Sequence, residues 1–219
     1  MRVNMATTLL LATKNAGKIR EFRALFWDLP KLIVKAADEV ASPDVAEDGR
    51  TFEENATKKA REIAVATGHL VLADDSGLEV DALGGRPGVY SARYAGRHGD
   101  DEANNDKLLL ELAGIADEKR GARYRVVLAL ADPTGPLGED VHVEHGVCEG
   151  VILRVRRGNN GFGYDPVFAP KGHDKTMAEL SPEDKNGISH RAEAAAKIRK
   201  FLGEYLAQRG ATQGKPRVA

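Results

Sequence analysis

The chain has 219 residues, 42% of them hydrophobic and 30% charged, with a formal net charge of −1. That is enough chain to bury a core without disulfides or a structural metal, and the near-neutral balance lacks the basic excess of a nucleic-acid binder. A single cysteine, Cys148, excludes an intramolecular disulfide and a cysteine-based zinc cluster. No run approaches the roughly 20 apolar residues of a membrane span, so a cytoplasmic protein without nucleic-acid or membrane partners is expected.

Strands and helices alternate along the chain, the pattern of an α/β fold. TTLLLAT, residues 7–13, reads as a buried strand, followed by a helix with Ile19, Phe22, Leu25 and Phe26 at helical spacing. A second helix starts at a Thr51/Glu54 capping box, lines one side with Phe52, Ala56, Ala60 and Ile63, and stops at Gly68. The next strand, from Leu70, is expected to end at two adjacent carboxylates, Asp74 and Asp75. Beyond the glycine- and proline-rich stretch 83–96 come a helix around 101–113 and strands in ARYRVVLALA and VHVEHGVCEGVILRV, which make the sheet mixed. Ser181-Pro182 and Ser189 mark the starts of two closing helices, and the residues after Gln208 read as a frayed tail.

Four segments carry chemistry. ATKNAGK, residues 12–18, sits between a strand and a helix, where backbone N–H groups, the helix dipole, Lys14 and Lys18 favour an anion. It lacks the glycine and the hydroxyl that a P-loop has at the positions of Ala12 and Ile19, and standing alone it reads rather as a plain turn with two solvated lysines. Glu47 and Asp48, with Asp74 and Asp75, offer the hard oxygens that magnesium takes alongside phosphates and water, and a carboxylate beside such an ion can accept a proton from water. AEDG is more often a surface turn. Two acids that follow a buried-looking strand, however, need a cation or a lysine nearby. Lys59 can be that lysine, or it can share a solvated helix face with Lys58, where Glu54 and Lys58 pair at i,i+4.

In GNNGFGYDP, residues 158–166, glycines flank Phe162, Phe162 and Tyr164 offer faces for stacking a base, and Asp165 can bond to its edge. A glycine-rich hairpin with Phe162 as core filler is the other reading. In NGISHR, His190 and Arg191 occupy the first turn of a long helix, where basic residues are disfavoured and an anion is invited, with Lys185 just upstream. His142 and His145 have neither metal-motif nor helix-face spacing and read as strand histidines.

Taken in order, ATKNAGK, FEENATKKA, LADDSGLEVDALGGRPGVYSARYAG, GFGYDPVF and ISHR resemble the inosine/xanthosine triphosphate pyrophosphatase family, from about Leu9 to about Leu206. The resemblance implies an elongated mixed α/β sheet flanked by helices, with two lobes and a nucleotide cleft between them. It implies a homodimer, one catalytic domain over residues 1–208 and a tail over 209–219. It also implies magnesium-dependent (Mg2+) hydrolysis of non-standard purine nucleoside triphosphates, dITP/ITP and XTP, to the monophosphate and pyrophosphate. On the same ground Asp75 is the proton acceptor and a metal ligand together with Glu47, Asp48 being the alternative to Glu47. Ser76 contacts substrate, Thr13, Lys14, Asn15, Ala16, Gly17 and Lys18 hold phosphate, and Lys59 lies near the triphosphate. Phe162, Gly163, Tyr164 and Asp165 bind the base, with Lys185, His190 and Arg191 as the remaining substrate contacts. Two rival readings are a related-architecture pyrophosphatase acting on dTTP or UTP, against which FGYDP and ISHR argue, and a module that binds a nucleotide without cleaving it.

Overall fold

Strands β1 (Thr7–Leu11), β2 (Leu32–Ala36), β3 (Leu70–Val80), β4 (Gly121–Ala131), β5 (Val141–Ile152) and β6 (Phe168–Pro170) form one sheet in the order β2-β1-β3-β4-β5-β6. The computed structural model describes residues 6–212. Helices α1 (Ala16–Phe26), α2 (Phe52–Thr67), α3 (Asp101–Glu111), α4 (Pro182–Ile188) and α5 (His190–Thr212) connect and flank the strands. β1 is parallel to β2 and to β3, whereas β5 and β6 are antiparallel, so the sheet is mixed as expected.

The chain packs as two units. Of the described residues, the first takes those through Asp75, then Val127–Glu144, and those from Ala194 on; the second takes Ser76–Val126 and His145–Glu193. In the first, Leu9, Leu10, Leu11, Leu70 and Val71 have no exposed surface, and Phe22 and Phe26 of α1 and Ala56, Ala60 and Ile63 of α2 are buried with them. The unbroken apolar runs of β1 and β3 follow from parallel strands covered on both faces. Each such leucine or phenylalanine stabilises the fold by about 1.5–3 kcal/mol relative to an exposed side chain. In the second, Leu78, Val80, Leu108, Leu112, Tyr124, Tyr164, Phe168 and Met177 form one core cluster. β4 changes character where it changes unit: Ala122, Tyr124 and Val126 alternate with more exposed neighbours, and from Val127 to Ala131 every residue is buried.

The caps fall where the sequence places them, with one difference. Thr51 Oγ1 accepts from the Glu54 N–H at 3.1 Å, but the Glu54 carboxylate accepts from Arg50 N–H at 2.6 Å rather than from the N-cap itself, so half of the box is displaced by one residue. Ser181 and Ser189 cap α4 and α5 through the N–H groups of Asp184 and Ala192. β2 is an additional strand, and only Ala36 of its five residues is buried although its Leu32-Ile33-Val34 run is apolar.

Two expectations are corrected. β3 does not end at Asp74 and Asp75 but runs on to Val80, placing both acids in mid-strand. And α5 continues past Gln208 to Thr212, because Arg209, only 9% exposed, is anchored on the fully buried carboxylate of Asp132, which also accepts from Tyr205 Oη at 2.8 Å. The remainder of the expected tail, 213–219, lies outside the described residues. Among those described, no helix is long and apolar enough to cross a membrane.

Candidate active site

β1 stops at Leu11, paired with Leu72, and Ala12 N–H still donates to Leu72 O at 2.8 Å, so β3 runs on past the carboxyl end of its neighbour. Asp74 and Asp75 therefore sit beside the loop 12–15 that leads into α1. β1 crosses over to β2 in one direction and β2 to β3 in the other, which makes this a topological switch point of the kind where parallel α/β sheets bind ligands. Right-handed crossovers then put α1 and α2 on opposite faces. Successive side chains of a strand also point to opposite faces. This accounts for Asp74 meeting Lys18 of α1 and Asp75 meeting Asn55 of α2.

The loop itself is a helix start. Asn15 caps α1 by accepting from Lys18 N–H at 3.0 Å, Thr13 Oγ1 accepts from Asn15 N–H at 3.2 Å, and Ala16 and Gly17 are the first helical residues. Lys18 forms an ion pair with the buried Asp74. Lys14 is exposed and bonded to Asp44 at 2.6 Å. Lys59 is not on a solvated face: it is 8% exposed, pairs with Glu47 and donates to Asp74 O at 2.9 Å. Lys58 turns to Asp48 at 2.6 Å rather than to Glu54, since the Glu54 carboxylate is already engaged by Arg50 N–H. Glu47 is thus the acid that joins the buried cluster, with its side chain 31% exposed against 72% for Asp48.

The electrostatics of this cluster are mixed. Burial pushes the Glu47 carboxyl up, but Lys59 and Lys18 outweigh it and hold it below its ordinary value. Asp75 goes the other way: burial, reinforced by the negative charge of Glu47, raises its pKa against the pull of Lys18, Lys59 and the Asn55 amide. An ionised Glu47 beside an Asp75 whose charge its surroundings oppose is a hard-oxygen pair that suits a divalent cation. Among the described residues, no group of three or more His, Cys, Asp and Glu side chains forms a ready-made cage. The pair Glu47 and Asp75 fits magnesium, which keeps water and takes phosphate oxygens to complete its shell.

In the second unit, Asp165 is the organising residue. Its Oδ2 accepts from Lys185 Nζ at 2.6 Å and from Phe162 N–H at 2.9 Å, and its Oδ1 accepts from Tyr124 Oη at 3.2 Å. Gly161 must be glycine, because a Cβ there would lie 2.0 Å from Asp165 Oδ2 and φ is +79°. The backbone of Gly163 donates to Asp101 at 2.6 Å and accepts from Asn105 at 2.8 Å, which ties the loop to α3. Phe162 is half-buried, with Lys185 Nζ 4.8 Å and Arg191 Cζ 5.2 Å from its ring centre. Arg191 donates to Ser76 Oγ at 2.7 Å, and His190 stacks on Tyr124 with centroids 4.8 Å apart. Burial, with Asp165 beside it, raises the Tyr124 phenol well above its ordinary value, so it stays a neutral donor.

Tyr164 differs from its expected role. Its ring belongs to the core of the second unit and its hydroxyl donates to Ser91 O at 2.8 Å, so it supports the loop from beneath instead of offering a face. Asp165, 3% exposed, likewise has its carboxylate engaged by the protein's own donors. Asn55 and Tyr124 were not among the expected site residues, yet each bonds a buried acid. A signal existed for Asn55, a polar residue on the stripe that Phe52, Ala56 and Lys59 share at helical spacing.

Residues 9–201 match the Ham1 family. A protein from Bacillus licheniformis named dITP/XTP pyrophosphatase is 50% identical over 90% of this chain and 98% of its own length. One of the same name from Shouchella clausii is 51% identical over 89% and 96%, respectively. The solved structure of a HAM1 protein from Coxiella burnetii is 42% identical and superposes with a TM-score of 0.80 over 90% of this chain and 99% of that one. The chain belongs to the Ham1 family.

Proposed function

We propose that the protein hydrolyses non-standard purine nucleoside triphosphates, dITP/ITP and XTP, to the monophosphate and pyrophosphate. The observation that carries the reading is the cluster at the end of β1: two lysines and a helix N-terminus for a polyphosphate, interleaved with Glu47, Asp74 and Asp75. The names of relatives that are half identical over nearly their whole length support the same reaction.

In this reading Asp75 accepts the proton of the attacking water, and its raised pKa brings it closer to the operating pH of a general base. A magnesium ion held by Glu47 and Asp75 would supply positive charge to the phosphate oxygens and acidify water. Lys18, Lys59 and the N–H groups at the start of α1 hold the triphosphate, with Thr13, Lys14, Asn15, Ala16 and Gly17 shaping that segment. Attack at the phosphorus nearest the sugar releases pyrophosphate as one piece. Phe162 stacks the base, Asp165 and Gly163 set its loop, Tyr164 props it, and Ser76, Lys185, His190 and Arg191 contact the rest of the nucleotide. Donors facing the 6-carbonyl of hypoxanthine or xanthine would be left unpaired by the 6-amino group of adenine, a penalty that discriminates strongly. In this reading the protein works as a homodimer in the cytoplasm, with residues 1–208 as its catalytic domain.

The test is a panel of nucleoside triphosphates incubated with the protein and Mg2+, scored for both pyrophosphate and orthophosphate. Pyrophosphate from dITP and XTP, with ATP slow, is expected. Orthophosphate as the first product, or a preference for dTTP or UTP, overturns the reading; binding of dITP with no product identifies a sensor.

A further inference from the structure

We infer that Asn55 is a positioning residue: its amide holds the Asp75 carboxylate by Oδ2 and ties it to the loop that carries Glu47. Asn55 is 2% exposed on the inner face of α2. Its Oδ1 accepts from Gly49 N–H at 2.7 Å, and its Nδ2 donates to Asp75 Oδ2 at 2.9 Å. The first bond decides the second. A backbone N–H can only be met by the carbonyl oxygen of the amide, so the side chain cannot flip, and the NH2 group is held on Asp75.

The other end of the amide grips the loop two residues after Glu47. The contact is close enough to demand glycine: a Cβ on Gly49 would lie 2.7 Å from Asn55 Oδ1 and 2.9 Å from Glu54 Cβ. One side chain therefore spaces the two acids assigned to the metal and the proton. Hydrogen-bond partners of ligating carboxylates typically control affinity or rate by about 10–100-fold.

The inference rests on the reading of Asp75 given above, and the test keeps the two apart. Wild type, Asn55→Ala, Asn55→Asp and Asp75→Asn are compared for kcat and KM on dITP, for Mn2+ affinity by electron paramagnetic resonance without nucleotide, and for melting temperature. Asn55→Asp keeps an acceptor for Gly49 while it replaces the donor to Asp75 with a carboxylate, so it remains informative should the alanine variant fail to fold. Expected are a roughly 10–100-fold fall in kcat for both Asn55 variants with KM for dITP little changed, and weaker Mn2+ binding by Asn55→Ala. A kcat of Asn55→Asp equal to wild type reduces Asn55 to a support for the loop and overturns the inference. Full turnover by Asp75→Asn instead overturns the reading of Asp75, whatever the Asn55 variants do.

Discussion

Asp75 and Asp165 are both buried carboxylates, 7% and 3% exposed, one in each unit of the molecule. Asp165 is met by a lysine, a backbone N–H and a phenol, all contributed by the protein. Asp75 has an amide on one oxygen, and its surroundings as a whole oppose its charge. Burial alone does not mark a reactive acid. A carboxylate whose charge is settled internally organises the groups that settle it, here the loop of Phe162. One whose ionisation is disfavoured is suited to act on something that arrives.

The contrast is open to direct attack, first through Asp75. Asp75→Asn is expected to cut dITP turnover by roughly 10²–10⁴-fold, with a melting temperature at or above wild type. The sign follows from the raised pKa: the folded state binds the Asp75 proton more tightly than the unfolded one, so ionisation costs stability as pH rises through the folded value. The variant lacks that cost at neutral pH, and its advantage should vanish on acidification. A marked fall in melting temperature would show Asp75 to be a structural acid.

Asp165→Ala should do the opposite, destabilising by about 3–5 kcal/mol because Lys185, 6% exposed, is left without its counter-charge. Chemical denaturation measures this directly; wild-type stability would erase the distinction between the two acids. Asp132→Asn, which leaves Arg209 bonded but unneutralised, should cost about 1.5–3 kcal/mol. Burial pushes the Asp132 carboxyl up, yet Arg209, Tyr205 and Thr134 outweigh it and hold it below its ordinary 3.8. Its stabilisation is therefore present above that value and lost as pH falls through the folded one, so the melting gap between wild type and Asp132→Asn should close in acid. A gap independent of pH would contradict the assignment. The smallest effect is expected at Asp48, whose exposed pair with Lys58 lies outside the buried cluster: Asp48→Asn should leave turnover unchanged, in contrast to Glu47→Gln, and a steady-state assay of the two variants decides between them.

Local signals identified α1, α2 and the serine caps because hydrophobic spacing and short-range hydrogen bonds act over a few residues. The same reading stopped β3 at Asp74, since adjacent carboxylates look like an exit to solvent when the lysines that meet them lie 56 and 15 residues away in the chain. The end of α5 was not legible because its anchor, Asp132, is 77 residues upstream of Arg209, whereas β2 carried a local signal in its Leu32-Ile33-Val34 run. Asn55 was visible as a polar interruption of an apolar stripe, but nothing local says which acid it meets.

By itself, then, the sequence determined the α/β alternation, the helix starts and the set of acids, lysines and aromatic residues from which a nucleotide site can be built. Only the tertiary structure decided that Glu47 rather than Asp48 joins Lys59, that Tyr164 is core, and that Asp165 is neutralised by Lys185 while Asp75 is not settled in the same way. The reason is range: periodicity and capping are set by neighbours within a turn or two, whereas the state of a buried charge depends on which distant groups the fold brings against it and how much water it removes.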